Sequence, residues 1–198
     1  MTAGTADTTG TAEAQRTSMP GAPRSLDTTA SGAIFTIWQK LQKVPFGNWL
    51  FTRAVCFKAP YFRTVHPQIH ELRPGYCRVS APNRRGVRNH LGTYHAIASC
   101  NMAEIAAGMM TEATVPATHR WIPVGMTVEY KAKATTGVTS IARLDALPEF
   151  GDDPMELLVP VDVLDADGQV FVSAEITMRG LSEEGCLVSC AGSSLHWS

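Results

Sequence analysis

The sequence predicts an α+β fold in which an antiparallel sheet wraps around one long central helix. The stretch from Tyr94 to Thr111 is apolar or small on nearly every side and carries one carboxylate, Glu104. Two strand-like segments precede this stretch and four follow it. A sheet can therefore bury a helix that has no polar face, and the helix in turn covers the apolar face of the sheet.

Two short helices are predicted ahead of the sheet. The segments SGAIFTIWQKLQKVP and FGNWLFTRAVCFKAP both repeat apolar residues at helical spacing. Pro45 separates them, and the second segment stops before Pro60. We expect this N-terminal helical lead-in to cover one edge or end of the core.

The strands are predicted from alternation and from turn residues. YFRTVHPQIHEL and GYCRVSAP flank RPG and indicate a hairpin, with Pro67 marking an edge or a bulge. VGMTVEYKAKA alternates with period two, and GVTSIARLDAL follows as the next strand. MELLVPVDVLD and QVFVSAEITMRG are joined by ADG, a strong hairpin signal.

The chain of 198 residues is 44% hydrophobic, which fits one domain with a sizeable core. Residues 1–30 lack periodicity and are expected to form a disordered tail. Residues 31–181 form the predicted domain, and residues 182–198 form a C-terminal tail.

Composition excludes several classes of protein. A formal net charge of −1 argues against a dedicated nucleic-acid binder, and no run approaches the ~18 apolar residues of a membrane span. The N-terminus lacks the apolar core of a signal peptide. Five scattered cysteines indicate reduced thiols and a cytoplasmic protein. Organelle targeting stays open because residues 1–30 are rich in Thr, Ala and Ser, although their acidic residues weigh against it.

No metal site is expected. His90 and His95 are five residues apart, whereas zinc-binding histidines on a helix are usually four apart. Cys186, Cys190 and His196 have loose spacing in a terminal segment. No G-x-S-x-G elbow, P-loop or G-x-G-x-x-G occurs, so serine hydrolases and dinucleotide enzymes have no support from motifs.

A helical wheel places Ile97, Cys100, Glu104 and Gly108 on one stripe, with Asn101 beside it. The stripe is small and partly polar, so another surface can approach it closely. A buried carboxylate is costly without partners or a solvent-filled cleft, and such groups are candidate acids or bases. The alternative is a structural Glu104 that emerges at a rim or pairs with an arginine. The residues alone do not decide between the functional and the structural interpretation.

The spacing of Asn89, His95 and Glu104 resembles that of the phenylacetate-pathway (PaaI-type) hotdog thioesterases. The sequence is still more similar to an uncharacterised thioesterase-like hotdog family, found also as the C-terminal domain of YiiD-type proteins. FKAPYF, ELRPGY, RRGVRNHLGTYHAIASCNMAEIAAG, WIPVGMTVEYKAKA and the final hairpin carry this resemblance, which spans roughly residues 44–181. The RNHLGTYHA block is its most specific part.

The resemblance implies a hotdog fold, a homodimer or dimer of dimers, and active sites shared between subunits. Asn89 would orient the thioester or the attacking water. The backbone N–H near His95 and Ala96 would polarise the thioester carbonyl, and Glu104 of the other subunit would be general base or nucleophile. Ala96 stands where the PaaI-type proteins have glycine, which tightens the space, and Glu104 is one methylene longer than aspartate.

Basic residues near the helix start suit the phosphates of coenzyme A. They are Arg84, Arg85, Arg88, Lys131 and Lys133. Arginine binds phosphate bidentately, but a solvated basic loop is an equally ordinary interpretation. No cofactor is expected beyond the coenzyme A portion of a substrate.

The sequence thus predicts a hydrolase that acts on acyl-CoA or acyl-carrier-protein thioesters, in fatty-acid or related acyl metabolism. One alternative is a non-catalytic hotdog protein that binds the same ligands and in which Glu104 is structural. A hotdog dehydratase or hydratase is a second alternative, but no histidine follows Glu104 at the expected short distance.

Overall fold

The computed structural model describes residues 32–151 and 153–182, so most of the two predicted tails lies outside the described residues. Its helices are α1 (Ala33–Leu41), α2 (Gly47–Lys58) and α3 (Ala96–Thr114). Its strands are β1 (Gln68–Arg73), β2 (Tyr76–Ala81), β3 (His119–Tyr130), β4 (Val138–Arg143), β5 (Met155–Leu164) and β6 (Val170–Ser182). Short 3-10 turns occupy Pro60–Thr64 and Arg85–Val87.

The six strands form one antiparallel sheet in the order β1-β2-β4-β5-β6-β3. The long helix α3 contacts every one of these strands. A sheet that touches one helix from edge to edge must curve around it, which confirms the predicted α+β architecture with a central helix. The hairpin predicted at ADG joins β5 to β6, and Gly168 supplies its positive φ of 81°.

The core lies between α3 and the inner face of the sheet. Met102, Ile105 and Met110 of α3 have no exposed surface, and neither do Val79 and Ile176 of the sheet. Burying an aliphatic side chain of this size contributes about 1.5–3 kcal/mol. The apolar sides of α3 therefore contribute a large share of the buried core of the domain.

The lead-in helices pack as a corner beside the core. Trp38 of α1 and Phe51 of α2 stack edge to face with ring centroids 5.0 Å apart. Phe46, at the start of α2, adopts a left-handed conformation with φ of 60°. A Cβ on the next residue, Gly47, would overlap the carbonyl oxygen of Leu41, so the end of α1 and the start of α2 are in direct contact.

Two strand predictions were wrong in their extent. The segment before Pro67 forms a 3-10 turn and not a strand, and β1 begins only at Gln68. Proline has no N–H for a sheet, and His66 before it has a φ of 52°, so extended structure cannot start earlier. The strand predicted from Val124 begins already at His119 and ends at Tyr130, with a register shift between Pro123 and Gly125.

Strand β3 lies at the edge of the sheet and is exposed on both faces over most of its length. The exposed large apolar side chains of β3 are Ile122, Val124, Met126 and Tyr130. The alternating pattern of β3 therefore does not correspond to a face buried within this chain. In the described residues, no helix is both long and apolar enough to cross a membrane.

Candidate functional site

One stripe of α3 is left uncovered by the sheet, as the helical wheel predicts. Ile97 is 57% exposed, and Cys100, Glu104 and Gly108 are half-buried, whereas most of the helix is fully buried. The stripe continues to Glu112, one turn beyond the predicted set. The small side chains at Cys100 and Gly108 leave the helix backbone within reach of another surface.

Glu104 occupies the middle of this stripe and projects toward a cavity. Its carboxylate makes no hydrogen bond or ion pair within the described part of the chain. Pairing with an arginine, one form of the structural alternative for Glu104, is therefore not observed there. A half-buried carboxylate can accept a proton or attack an electrophile when no protein donor occupies its lone pairs, and none of the described residues does so here.

The cavity beside Glu104 has a volume of about 410 Å³ and lies between α3, the lead-in helices and β3. Its lining is mostly apolar and comprises Ile34, Val55, Lys58, Ala59, Phe62, Glu104, Ile105, Gly108, Met109, Glu112, Trp121, Pro123 and Met178. This volume falls within the ~300–1,000 Å³ of typical small-molecule pockets. The arrangement of an apolar cavity with one free carboxylate suits a ligand with an apolar chain and a reactive polar group.

Trp121 forms one wall of the cavity and is fixed from two sides. Its indole N–H donates to Glu112 Oε2 over 2.7 Å. A Cβ at Gly108 would lie 3.2 Å from the ring, so glycine there allows the ring to sit against the helix. No sequence pattern indicated this contact, because β3 and α3 could not be aligned without the sheet order.

The start of α3 presents free backbone donors. His95 caps the helix, with Nδ1 accepting the Ile97 N–H over 3.0 Å, and its own N–H donates to the Val87 carbonyl over 2.8 Å. The predicted donor near His95 and Ala96 is thus narrowed to Ala96, whose N–H has no partner among the described residues. The positive end of the helix dipole strengthens such a donor toward a developing oxyanion.

Asn89 closes the loop that leads to the helix. Its Oδ1 accepts the N–H groups of Leu91 and Thr93, at 3.0 and 3.1 Å, and its Nδ2 donates to Thr93 Oγ1 at 2.8 Å. One amide N–H remains available to a ligand. The side chain therefore fixes the loop conformation as well as offering the predicted contact.

The predicted cations lie on two segments that the structure brings together. The Tyr94 N–H donates to the Ala134 carbonyl at 2.8 Å, which places Lys131 and Lys133 in the segment that pairs with the loop of Arg84, Arg85 and Arg88.

Most of these cations already have partners. Arg84 donates to the Thr64 carbonyl at 3.4 Å, Arg88 donates to Asn83, and Lys131 lies 3.5 Å from a Glu129 carboxylate oxygen. Arg85 and Lys133 are exposed. These two cations are therefore the members of the set best placed to meet a phosphate without breaking another contact.

A second, smaller cavity of about 260 Å³ opens beside the helix start, lined in part by Arg88, His95 and Ile97. Asn101 also lines it and is only 5% exposed. Its Nδ2 donates to Thr64 Oγ1 at 3.1 Å, but its Oδ1 has no partner. A polar residue within an apolar helix was the available signal in the sequence, but its spacing alone assigned Asn101 no role.

Metal ligands do not gather in the described residues, where no group of three or more His, Cys, Asp or Glu could hold an ion. Cys186, Cys190 and His196 lie outside those residues. Cys56, Cys77 and Cys100 are free thiols, and burial raises the pKa of Cys77 far above its ordinary value, so that thiol is inert at neutral pH.

The sheet that curves around one long helix defines a hotdog fold. Residues 47–179 match the family described as Domain of unknown function (DUF4442), and the chain belongs to that family. The structural-genomics protein APC5556 is 46% identical, and the match covers 75% of this chain and 98% of that one, with a TM-score of 0.65.

More distant solved structures share the fold. PA5026 of Pseudomonas aeruginosa, described as a probable thioesterase, is 23% identical, with a TM-score of 0.57 over 63% of this chain and 88% of that one. The thioesterase HI1161 of Haemophilus influenzae is 10% identical, with a TM-score of 0.54 over 62% of this chain and 82% of that one. A search of curated proteins found no match.

The loop before α3 contains a buried hydroxyl that should cost stability. Tyr94 is 4% exposed and its hydroxyl has no partner, and burial raises its pKa to about 12. Tyr94→Phe should therefore raise the free energy of unfolding by about 1 kcal/mol at neutral pH, because an unsatisfied polar group is removed.

The same substitution should change the pH dependence of stability. Above pH 10 the unfolded chain loses the Tyr94 proton while the folded chain keeps it to about pH 12, so wild-type stability falls in that window. Urea unfolding at pH 7, 10 and 11 should show a smaller decline in Tyr94→Phe. Tyr61→Phe, at an exposed position, is the control, and a destabilised Tyr94→Phe would reveal an unrecognised partner for the hydroxyl.

Proposed function

We propose that this protein hydrolyses acyl thioesters, carried either by coenzyme A or by an acyl-carrier protein. The observation that carries the proposal is the unpaired Glu104 carboxylate at the mouth of an apolar cavity. The carboxylate would act as a general base on water, or as a nucleophile on the thioester carbon. The cavity would hold the acyl chain, and the similarity to thioesterase folds is in keeping with this chemistry.

The thioester carbonyl would accept a hydrogen bond from the Ala96 N–H at the positive end of α3. Asn89 would keep the loop that presents this donor in place and would offer its remaining amide N–H to the substrate. His95 holds the helix start through its cap and has no role in proton transfer in this proposal. Arg85 and Lys133 would bind phosphate groups, with Arg84 and Arg88 acting mainly to fix the loop.

One chain alone does not bring the two reactive elements together. Ala96 and Glu104 are eight residues apart, about 12 Å along the helix at 1.5 Å per residue, but both must come within about 3 Å of one reacting centre. This separation supports a site in which Ala96 of one subunit faces Glu104 of the other. The exposed apolar residues of β3 and the uncovered stripe of α3 supply a surface for such a dimer.

Assembly can be tested through β3. The wild-type protein should be a dimer or a dimer of dimers by light scattering at micromolar concentration. Met126→Lys places a charge on the exposed edge strand and should yield monomers with little turnover. Val44→Lys, at another exposed apolar position outside β3, should leave the mass unchanged. A wild-type monomer with full activity would contradict the shared site.

Glu104→Gln tests the chemistry directly. The amide keeps the size of the side chain but cannot accept a proton, so kcat for acyl-CoA hydrolysis should fall by about 10²–10⁴. The melting temperature should hold or rise, because a half-buried charge without a partner is removed.

Glu112→Gln provides a matched control on the same stripe, because the amide oxygen can still accept the Trp121 N–H. Its kcat should change far less than that of Glu104→Gln. A Glu104→Gln protein that melts early but turns over normally would make Glu104 structural. Thioester binding without turnover in the wild type would favour the non-catalytic alternative.

The cavity should set the preference for acyl-chain length. Val55→Phe would fill part of it, so kcat/KM should fall by about four-fold for each methylene that no longer fits, and short-chain substrates should be spared. Ala54→Phe adds the same ring on the exposed side of α2 and should not alter the profile. Equal profiles for the two variants over a series of straight-chain acyl-CoAs would place the acyl chain elsewhere.

A further inference from the structure

The outward side of α2 is apolar where a surface helix is normally polar. Trp49, Leu50 and Phe57 are 56%, 50% and 90% exposed, and helical periodicity places them on one side of α2. Phe46, just before the helix, and Tyr61, just after it, are 84% and 65% exposed. Large exposed apolar patches on a soluble domain usually mark an interaction surface.

The same part of the chain is strongly basic. Residues 28–70 contain no Asp or Glu, and their five cations are Lys40, Lys43, Arg53, Lys58 and Arg63, all of them exposed. The segment therefore carries +5, whereas the remaining residues carry −6 to give the net charge of −1. Such a segregation of charge favours an anionic partner at this surface.

A small pocket of about 200 Å³ concentrates this charge, and Trp49, Arg53, Arg63 and His66 contribute to its lining. The Arg53 guanidinium lies over the Trp49 ring, 5.9 Å from its centroid. Neither Arg53 nor Arg63 has a carboxylate partner among the described residues. Burial and then the positive charges of Arg84, Arg53 and Arg63 lower the pKa of His66, so the pocket has a positive potential.

We propose that this basic–aromatic face, formed by Trp49, Leu50, Arg53, Phe57 and Arg63, docks on an anionic phospholipid surface. The two arginines bind lipid phosphates in and around the pocket, since a guanidinium matches phosphate oxygens in pairs. The aromatic and aliphatic side chains enter the headgroup layer. Aromatic residues are enriched at this level of a membrane because their rings are favourable at the boundary between water and acyl chains. The protein sits on the membrane surface and does not span it.

The positive charge of the face favours binding to an anionic lipid surface over binding to a second copy of the chain. Two copies that met through this face about a twofold axis would bring the Arg53 and Arg63 side chains of one copy toward those of the other, with no carboxylate in residues 28–70 to neutralise them. An anionic bilayer supplies the opposite charge across the whole face, worth about five-fold in binding per cation near the surface. Val55, which helical periodicity places on the opposite side of the same helix, lines the cavity beside Glu104, so the docking face and that cavity lie on either side of α2.

Co-sedimentation of the full chain with vesicles tests the proposal without any need for turnover, so it is independent of the proposed activity. The protein should bind vesicles that contain phosphatidylserine and should not bind phosphatidylcholine alone. Arg53→Gln with Arg63→Gln should weaken binding by roughly 30-fold. Trp49→Ala with Phe57→Ala should weaken it by roughly ten-fold or more. A higher salt concentration should weaken the part of vesicle binding that depends on the arginine charges.

Arg143→Gln with Arg179→Gln is the matched control, because it removes the same charge from β4 and β6 and should leave vesicle binding near the wild-type level. Equal binding to both vesicle types, or unchanged binding by the two α2-face variants, would overturn the proposal. A smaller particle mass for Trp49→Ala with Phe57→Ala in lipid-free light scattering would make the face a contact between copies. Saturable binding of inorganic phosphate without vesicle binding would assign the pocket to a soluble phosphate.

Discussion

The structure depends on the burial of one helix that is apolar on all but one stripe. Water cannot solvate most of the surface of α3 favourably, so the chain has to cover it, and a single sheet of six strands contacts it from edge to edge. The sheet closes over all but one stripe. That stripe is where the helix carries Cys100, Glu104 and Gly108, and its position fixes where the cavity, the free carboxylate and any second subunit can be.

The sequence was sufficient to predict this arrangement because its signals were periodic and long. The apolar run of α3, the alternation in β5 and β6, and the ADG turn each indicate one structure with little competition. The wheel also placed Glu104 on the uncovered stripe, since helical geometry alone relates residues on one helix. Prediction was poorer around Pro67. The aromatic and β-branched residues before it favour a strand, but the proline and the left-handed conformation of His66 delay the start of β1 to Gln68.

The contacts that shape the site could not be predicted from the sequence, because they join segments that are far apart along the chain. Trp121 meets Glu112 and Gly108 only after the sheet order places β3 beside α3, and Val55 reaches the cavity only through the packing of α2. The basic loop shows a similar limit. The sequence shows three arginines, but it does not show that Arg84 donates to the Thr64 carbonyl or that Arg88 donates to Asn83.

The tight corner at Gly47 limits how the cavity can change shape. Because the end of α1 touches the backbone at the start of α2, the two helices cannot hinge apart at this point without losing that contact. Trp38 and Phe51 tie them together further along. The pair therefore forms a fixed side of the cavity. On the opposite side Trp121 is held by its hydrogen bond to Glu112 and by its contact with α3 at Gly108, so a wider cavity would require the sheet edge to release that hydrogen bond.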